Sequence, residues 1–538
     1  MNTTMVLPVM LTLVAFSPLS GRQVQEAPAV GLHMAAITGN VEAIRQHVAA
    51  GSDLDARDPY GSTPLIAAAA FDQPEAALAL MEAGADLDLT NNVGGTALHT
   101  AAFLCRGEIV QDLLEHGARK YVRDQSGNTP WESVSGPFED VRSVYEEMRQ
   151  GLAPLGLVLD LDEIQRARPA IAAMLRPEPA ELDAVDYTPL AGPDWEMSTP
   201  EAEGLDPDLV SELYLEAADL DGLLGLLVIK DGRLIAERYY GEGNVRRKNL
   251  LQSVTKSFTS ALVGIALDRG CLESVDQRMI DFFPETADRI SDARKREITL
   301  RQMLEMRAGF PWEESDPAYW DALLTGAYLP LVEDLPLTAD PGTTFQYSNL
   351  TSHWLGVIVA RTCETDLKSF AEQYLFAPLG AEAGDWTQDA DGYYIGLGEL
   401  HLTARDAAKF GFLYLNDGQV RGQRVVPAEW VAKSLQPYSR SFNSAGVEHG
   451  EVGRYHRDVG YGYQWWSARA GAHAFDFAWG HGGQFIILVD DLDMVIVVAS
   501  DPFHQQHDAE SWWHELANLN LVGKFISSLP VAAEAPGT

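Results

Sequence analysis

A period of 33 residues near the N-terminus restricts this chain more than any other feature. Thr63, Thr96 and Thr129 are spaced by 33, and Gly51, Gly84 and Gly117 keep the same interval. Each threonine opens a related phrase: Thr63-Pro64-Leu65-Ile66-Ala67-Ala68, Thr96-Ala97-Leu98-His99-Thr100-Ala101 and Thr129-Pro130-Trp131. A weaker first copy is Gly31-Leu32-His33-Met34-Ala35-Ala36. Threonine suits the cap of a first helix, with proline just inside it. Glycine suits the end of a second helix, where positive φ is needed. One unit of this size cannot bury its own apolar face, so the copies must stack.

This pattern resembles ankyrin repeats, over residues 30–135. The resemblance implies a helical array that binds a protein partner or gives structural support to the next domain; both readings stay open. Residues 136–195 read as a connector. Glu139 to Leu152 and Asp160 to Leu175 are helix-like, and Pro177, Pro179, Pro189 and Pro193 then mark an irregular course. Before the repeats, Met5 to Phe16 is apolar and is followed by Ser17, Ser20 and Gly21. It is too short to cross a bilayer and reads as a signal peptide over 1–21, with a periplasmic or secreted destination. No later stretch spans a membrane, and residues 530–538 read as a disordered tail.

Lys and Arg number 39 against 78 Asp and Glu, a formal charge of −39, which argues against nucleic acid as a partner. The three cysteines, Cys105, Cys271 and Cys363, are widely separated, and their spacing predicts neither a disulfide framework nor a CxxC zinc site.

From residue 196 the texture changes. Leu223 to Lys230 and Arg233 to Tyr239 flank Asp231-Gly232, a hairpin signal. Helical stretches follow, and Gln484 to Val489 and Met494 to Ala499 read as buried strands before a last amphipathic helix, Ala509 to Leu529. Strands at both ends with helices between imply one α+β domain over 196–529, with a sheet closed by its two ends and a helical insert.

Three segments in that domain could carry chemistry. Ser253-Val254-Thr255-Lys256 places a hydroxyl and an amine on one helix face, where a poorly solvated lysine could take the serine proton. The bland alternative is an N-cap serine beside a solvated lysine. In Tyr347-Ser348-Asn349 the phenol could move a proton and the amide could hold a substrate carbonyl. In Trp479-Gly480-His481-Gly482-Gly483-Gln484 the glycines would let backbone approach a substrate, and an N–H after them could share an oxyanion hole with that of Ser253.

In this chain order the three segments resemble the serine β-lactamase and penicillin-binding-protein superfamily, nearest its class C-type branch with esterases and 6-aminohexanoate-dimer hydrolase. Gly396-Leu397-Gly398-Glu399-Leu400-His401-Leu402-Thr403-Ala404-Arg405-Asp406 and Tyr461-Gly462-Tyr463-Gln464-Trp465-Trp466 agree with it. The resemblance implies a β-lactamase/transpeptidase-like fold, an antiparallel sheet flanked by helices. It implies Ser253 as acylated nucleophile, Lys256 as its proton partner and Tyr347 as general base. Asn349, His481, Gly482, Gly483 and Gln484 would bind substrate, with the N–H groups of Ser253 and Gln484 as the oxyanion hole. No metal or organic cofactor is implied. His481 stands where β-lactamases carry the lysine of Lys-Thr-Gly, and a histidine is mostly neutral at pH 7. That shifts weight to a small-molecule ester or amide lacking the usual carboxylate. A β-lactamase or D,D-peptidase is the first alternative, and an inactive binding protein working through the array is the second. His514-Glu515 lacks the second histidine of a zinc helix, and His504, His507 and Asp508 read as a surface loop.

Overall fold

A computed structural model describes residues 27–315, 317–440, 451–504 and 511–531. The N-terminal apolar run, the His507-Asp508 pair and the tail from 532 lie outside them.

Helix pairs Leu32–Ile37 and Val41–Ala50, Pro64–Ala70 and Pro74–Glu82, and Ala97–Phe103 and Gly107–Glu115 stack in sequence, and Pro130–Ser135 opens a fourth unit. The hydroxyls of Thr63, Thr96 and Thr129 accept the N–H groups of Ile66, His99 and Glu132, as caps. Fully buried Ala35, Ala36, Ala68, Ala69 and Ala102 let the helices approach closely. The segment read as a connector is largely helical. Helices Phe138–Leu152 and Leu161–Met174 pack on the array, where Ile171 and Leu175 join its core. Tyr145 donates to the Phe103 carbonyl at 2.6 Å, and Arg168 donates to Tyr145 at 2.9 Å.

The second domain is built on an eight-stranded antiparallel sheet. Its strands are β1 (Leu223–Lys230), β2 (Arg233–Tyr239), β3 (Ser439–Arg440), β4 (Arg457–Tyr461), β5 (Trp466–Ala470), β6 (His473–Gly480), β7 (Gln484–Val489) and β8 (Met494–Ser500). The spatial order β2-β1-β8-β7-β6-β5-β4-β3 joins the first hairpin to the last strand. Alternate residues of β1 serve two cores. Leu227 and Ile229 face Phe258 and Phe410 on the side of helices Thr255–Asp268 and Ala404–Leu415. Leu226 and Val228 face Tyr214, Leu521 and Phe525 on the side of helices Pro207–Ala217 and Ser511–Ser528.

Cys271 and Cys363 overturn the cysteine reading: they form a disulfide, with Cα atoms 5.1 Å apart. Each lies just past the C-terminal end of one of two packed helices, Thr255–Asp268 and Asn349–Thr362. Helix packing brings together residues separated by 92 positions, which spacing in the sequence does not reveal. Cys363→Ser should therefore lower stability by about 2–4 kcal/mol. Urea midpoints with and without reductant check this; identical wild-type midpoints would count against the bond.

The array is locked to the second domain by buried charge. Arg123 donates to Glu132 at 2.7 Å and to Glu216 at 2.5 Å. Lys524 pairs with Glu216 and, at 2.7 Å, with Glu212. Tyr455 donates to the second oxygen of Glu132 at 2.5 Å. Among the described residues no helix is long and apolar enough to cross a membrane.

Candidate active site

Ser253 lies in a 3₁₀ turn, Gln252–Val254, that leads into helix Thr255–Asp268, and Gln252 is held at φ 48°. Its side chain caps nothing. Instead its Oγ accepts from Lys256 Nζ at 2.8 Å, and the same amine donates to the Leu397 carbonyl at 2.8 Å. Lys256 is fully enclosed, and burial pushes its ammonium down to about 7 against the opposing pull of Glu314 and Glu313. A neutral amine is thus accessible near neutral pH, in contact with the hydroxyl.

The Leu397 carbonyl is itself fixed. His353 and Asp389, both buried, are 3.0 Å apart, and His353 Nδ1 accepts the Gly396 N–H at 3.4 Å. Thr259 donates to the Gly396 carbonyl at 2.7 Å. Further along, the Leu251 N–H reaches the Leu400 carbonyl at 2.9 Å. The phrase Gly396 to Asp406 therefore cradles the Ser253 turn and the lysine.

The Tyr347 phenol lies beside Ser253, which pulls its pKa down, and its ring centre lies 5.1 Å from Lys256 Nζ and 5.9 Å from the ring of Trp466. Burial first, then Glu314, Glu313 and Glu515, push the phenol well above its ordinary value. These surroundings favour the protonated phenol, with Ser253 pulling the other way. Ser348 caps helix Asn349–Thr362. Buried Glu313 accepts from Ser348 Oγ and, at 2.9 Å, from the Asn349 N–H; desolvation pushes its carboxyl up to about 7. The Asn349 amide, expected to hold a substrate carbonyl, donates to Glu314 at 2.9 Å. Nothing in the sequence singled out Glu313 or Glu314; an acidic pair within the aromatic-rich stretch Trp312 to Trp320 was the available signal.

The third segment closes the site from the sheet. A Cβ added to Gly480 would stand 3.2 Å from the Val254 nitrogen, so the end of β6 abuts the Ser253 turn. Gln484, which opens β7, accepts the Ser500 N–H on its side chain at 3.1 Å. Gly482 and Gly483 have φ of 78° and 80°. Added Cβ atoms would strike Pro502 and Asn518, so glycine is required by a tight turn packed on the protein body rather than by an approaching substrate. His481 Nδ1 is 2.7 Å from Glu515, and its side chain is 45% exposed at the cleft. The same carboxylate accepts the Gly482 N–H at 2.8 Å and Trp479 Nε1 at 3.0 Å. The Glu515 hydrogen bond, outweighing burial, raises His481 above its ordinary value. The histidine expected to be mostly neutral thus has a carboxylate beside it that favours its charged form.

Residues 216–521, more than half of the chain, match the Beta-lactamase family model. The chain belongs to the beta-lactamase family. Residues 32–124 match the model for ankyrin repeats in three copies. The chain is 29% identical over 275 residues to 6-aminohexanoate-dimer hydrolase of Paenarthrobacter ureafaciens, covering 48% of this chain and 67% of that one. It is 23% identical over 195 residues to Beta-lactamase-like protein 2 of Dictyostelium discoideum, covering 31% of this chain and 36% of the relative. With a D-aminopeptidase of Cereibacter sphaeroides it shares 26% identity over 183 residues, or 30% and 32% of the two chains.

This beta-lactamase family member is a hydrolase with an unusual cleft. Its ionisable side chains include exposed Glu314, half-exposed His481 and, beneath His481, buried Glu515, and no lysine occupies the third segment. Trp386, Trp465 and Trp466 are core residues. Trp312 and Trp320 are exposed on the segment that carries Glu313 and Glu314, and Trp320 Nε1 donates to the Glu314 carbonyl at 2.8 Å.

Proposed function

We propose that the protein hydrolyses an amide or ester through an acyl-enzyme on Ser253, and that its preferred substrates present an amine rather than a carboxylate. The carrying observation is the 2.8 Å contact between Ser253 Oγ and a buried amine with a pKa of about 7. Neutral Lys256 takes the Ser253 proton as Oγ bonds to the carbonyl carbon, and the N–H groups of Ser253 and Gln484 face the oxyanion. As the carbonyl re-forms, Tyr347 gives its proton to the departing nitrogen or oxygen and recovers one from Lys256. Water then attacks the acyl-enzyme by the same relay in reverse.

The acidic rim supports the substrate class. Glu314 faces Lys256, Tyr347 and His481, while Glu515 balances His481. Relatives named for a 6-aminohexanoate dimer and as a D-aminopeptidase support the amide reading. Linear amides with a free or an acetylated terminal amine, a carboxylate-bearing ester and nitrocefin form the test panel. The free amine should lead its acetylated form by about tenfold or more in kcat/KM, the scale of one charge-assisted bond, and Glu314→Gln should erase the lead. Faster turnover of nitrocefin or of the carboxylate ester would replace this reading with that of a β-lactamase or peptidase.

Export is part of the proposal. The apolar run before Gly21 and the Cys271–Cys363 disulfide both suit an oxidising compartment. The mature N-terminus, read by mass spectrometry after expression with secretion, checks it. On the array, Tyr60 and Val93 are exposed at equivalent positions of successive repeats and would meet a protein partner.

A further inference from the structure

Tyr60, Val93 and Ser126 occupy equivalent positions in successive repeats, as do Gly61, Gly94 and Gly127. The Tyr60 carbonyl accepts the N–H of Asn92 in the next repeat, and the Val93 carbonyl accepts that of Gln125, each at 3.0 Å. At the third turn the Ser126 carbonyl accepts from Asn520 Nδ2, also at 3.0 Å, and Asn520 belongs to the C-terminal helix of the catalytic domain. The glycines tell the same story. An added Cβ would meet Asn92 at Gly61, the Gln125 nitrogen at Gly94, and Asn520 with the Leu516 carbonyl at Gly127. The C-terminal helix therefore stands where the turn of the next repeat would stand, and a side-chain amide replaces the backbone donor.

That helix also supports the active-site turn. Leu516 adjoins Glu515, which accepts the Gly482 N–H and pairs with His481. Asn518 donates to the Gly483 carbonyl at 3.3 Å. Glu515, Asn518 and Asn520 lie within two turns of one helix, a hydrogen-bonded rod with a rise of about 1.5 Å per residue. Displacement at Leu516 and Asn520 must move Glu515 with it.

We infer that the catalytic domain serves as the terminal cap of the ankyrin array, and that the third turn of the array, Asp124 to Asn128, is a positioning element for the turn His481 to Gln484. This rests on the reading that the latter turn borders the Ser253 site. The test is therefore read on His481 itself as well as on Ser253.

The experiment compares the full chain with Gly127→Ala and Gly61→Ala, whose added Cβ meets Asn92 in the next turn of the array. Both glycines sit at positive φ, 72° and 76°, so both variants strain the array. Only Gly127→Ala presses on the C-terminal helix. The charged groups acting on His481 are Glu515 from that helix and Glu314 from the loop opposite. Side-chain NMR should show the His481 midpoint falling toward about 6.5 in Gly127→Ala as the Glu515 pair loosens. Fluorophosphonate labelling of Ser253 should slow about fivefold or more, which is roughly one kcal/mol in the barrier. Gly61→Ala should leave both unchanged. Equal shifts in the two variants, or none in Gly127→Ala, would overturn the inference. Should Gly127→Ala not fold, Asn520→Asp keeps the acceptor for the Arg454 N–H, at 2.8 Å, and loses the donor to Ser126. An unshifted His481 midpoint there would again overturn it. A His481 shift in Gly127→Ala, together with a wild-type Ser253 that resists labelling, would uphold the inference while defeating the proposed function.

Discussion

Ser253→Ala should reduce turnover of any accepted substrate by about 10⁴-fold or more while leaving the fold intact. The hydroxyl caps no helix, and its loss still leaves Lys256 bonded to Leu397, so the stability cost should stay near 1 kcal/mol. Lys256→Ala and Tyr347→Phe should each approach the same loss. Since the three groups pass one proton among them, the double variant should be scarcely worse than either single one. Losses that multiply would mean that lysine and tyrosine act independently. The pH profile has a definite sign. Lys256 must be neutral to accept the proton, and burial sets it at about 7. kcat/KM should therefore rise through about pH 7 and level off above it, with Tyr347 still protonated on the plateau. A profile that falls over this range would transfer the base role elsewhere. Initial rates from pH 5.5 to 9 on one neutral ester decide the matter.

The parts legible in the sequence share a property: their signals are local or periodic. The array shows because Thr63, Thr96 and Thr129 repeat a cap, and the hairpin shows because Asp231-Gly232 supplies two positive φ values, 51° and 73°. Ser253 and Lys256 show because three residues on a helix place them together. The groups that tune the site do not, because they reach it through tertiary packing. Glu515 comes from the last helix and reads in the sequence only as half of a failed zinc motif. Glu313 is drawn into the start of a helix 36 residues downstream. The disulfide escapes for the same reason, since two helix ends far apart in sequence meet only after packing. The glycines of the third segment are legible as necessary but not as to why: their hydrogen atoms face Pro502 and Asn518.

Arg123→Met should destabilise the whole chain by about 3–5 kcal/mol, the cost of leaving buried charges without their partner. Arg123 is 2% exposed, as is Glu216, and Glu132 is fully enclosed. Burial alone would raise both carboxyls. For Glu132 the opposing pull of Arg123, with Lys524 and Tyr455, prevails and holds it below its ordinary value. For Glu216 burial prevails even with Arg123 and Lys524 present. Removing the guanidinium should raise both. A carboxyl raised in the folded state gives stability that is present at low pH and lost as pH rises through its folded value. Wild-type Glu132, depressed instead, gives stability that is lost as pH falls. The gap between variant and wild type should therefore narrow on acidification and be widest near neutral pH. Adding Glu132→Gln to Arg123→Met should restore part of the loss, because one of the two stranded charges is gone. Because Arg123 belongs to the array and Glu216 to the catalytic domain, urea unfolding should be one cooperative transition that moves as a unit. Two separate transitions, with only the array's shifting, would show that the interface couples nothing and that the repeats are a tethered module.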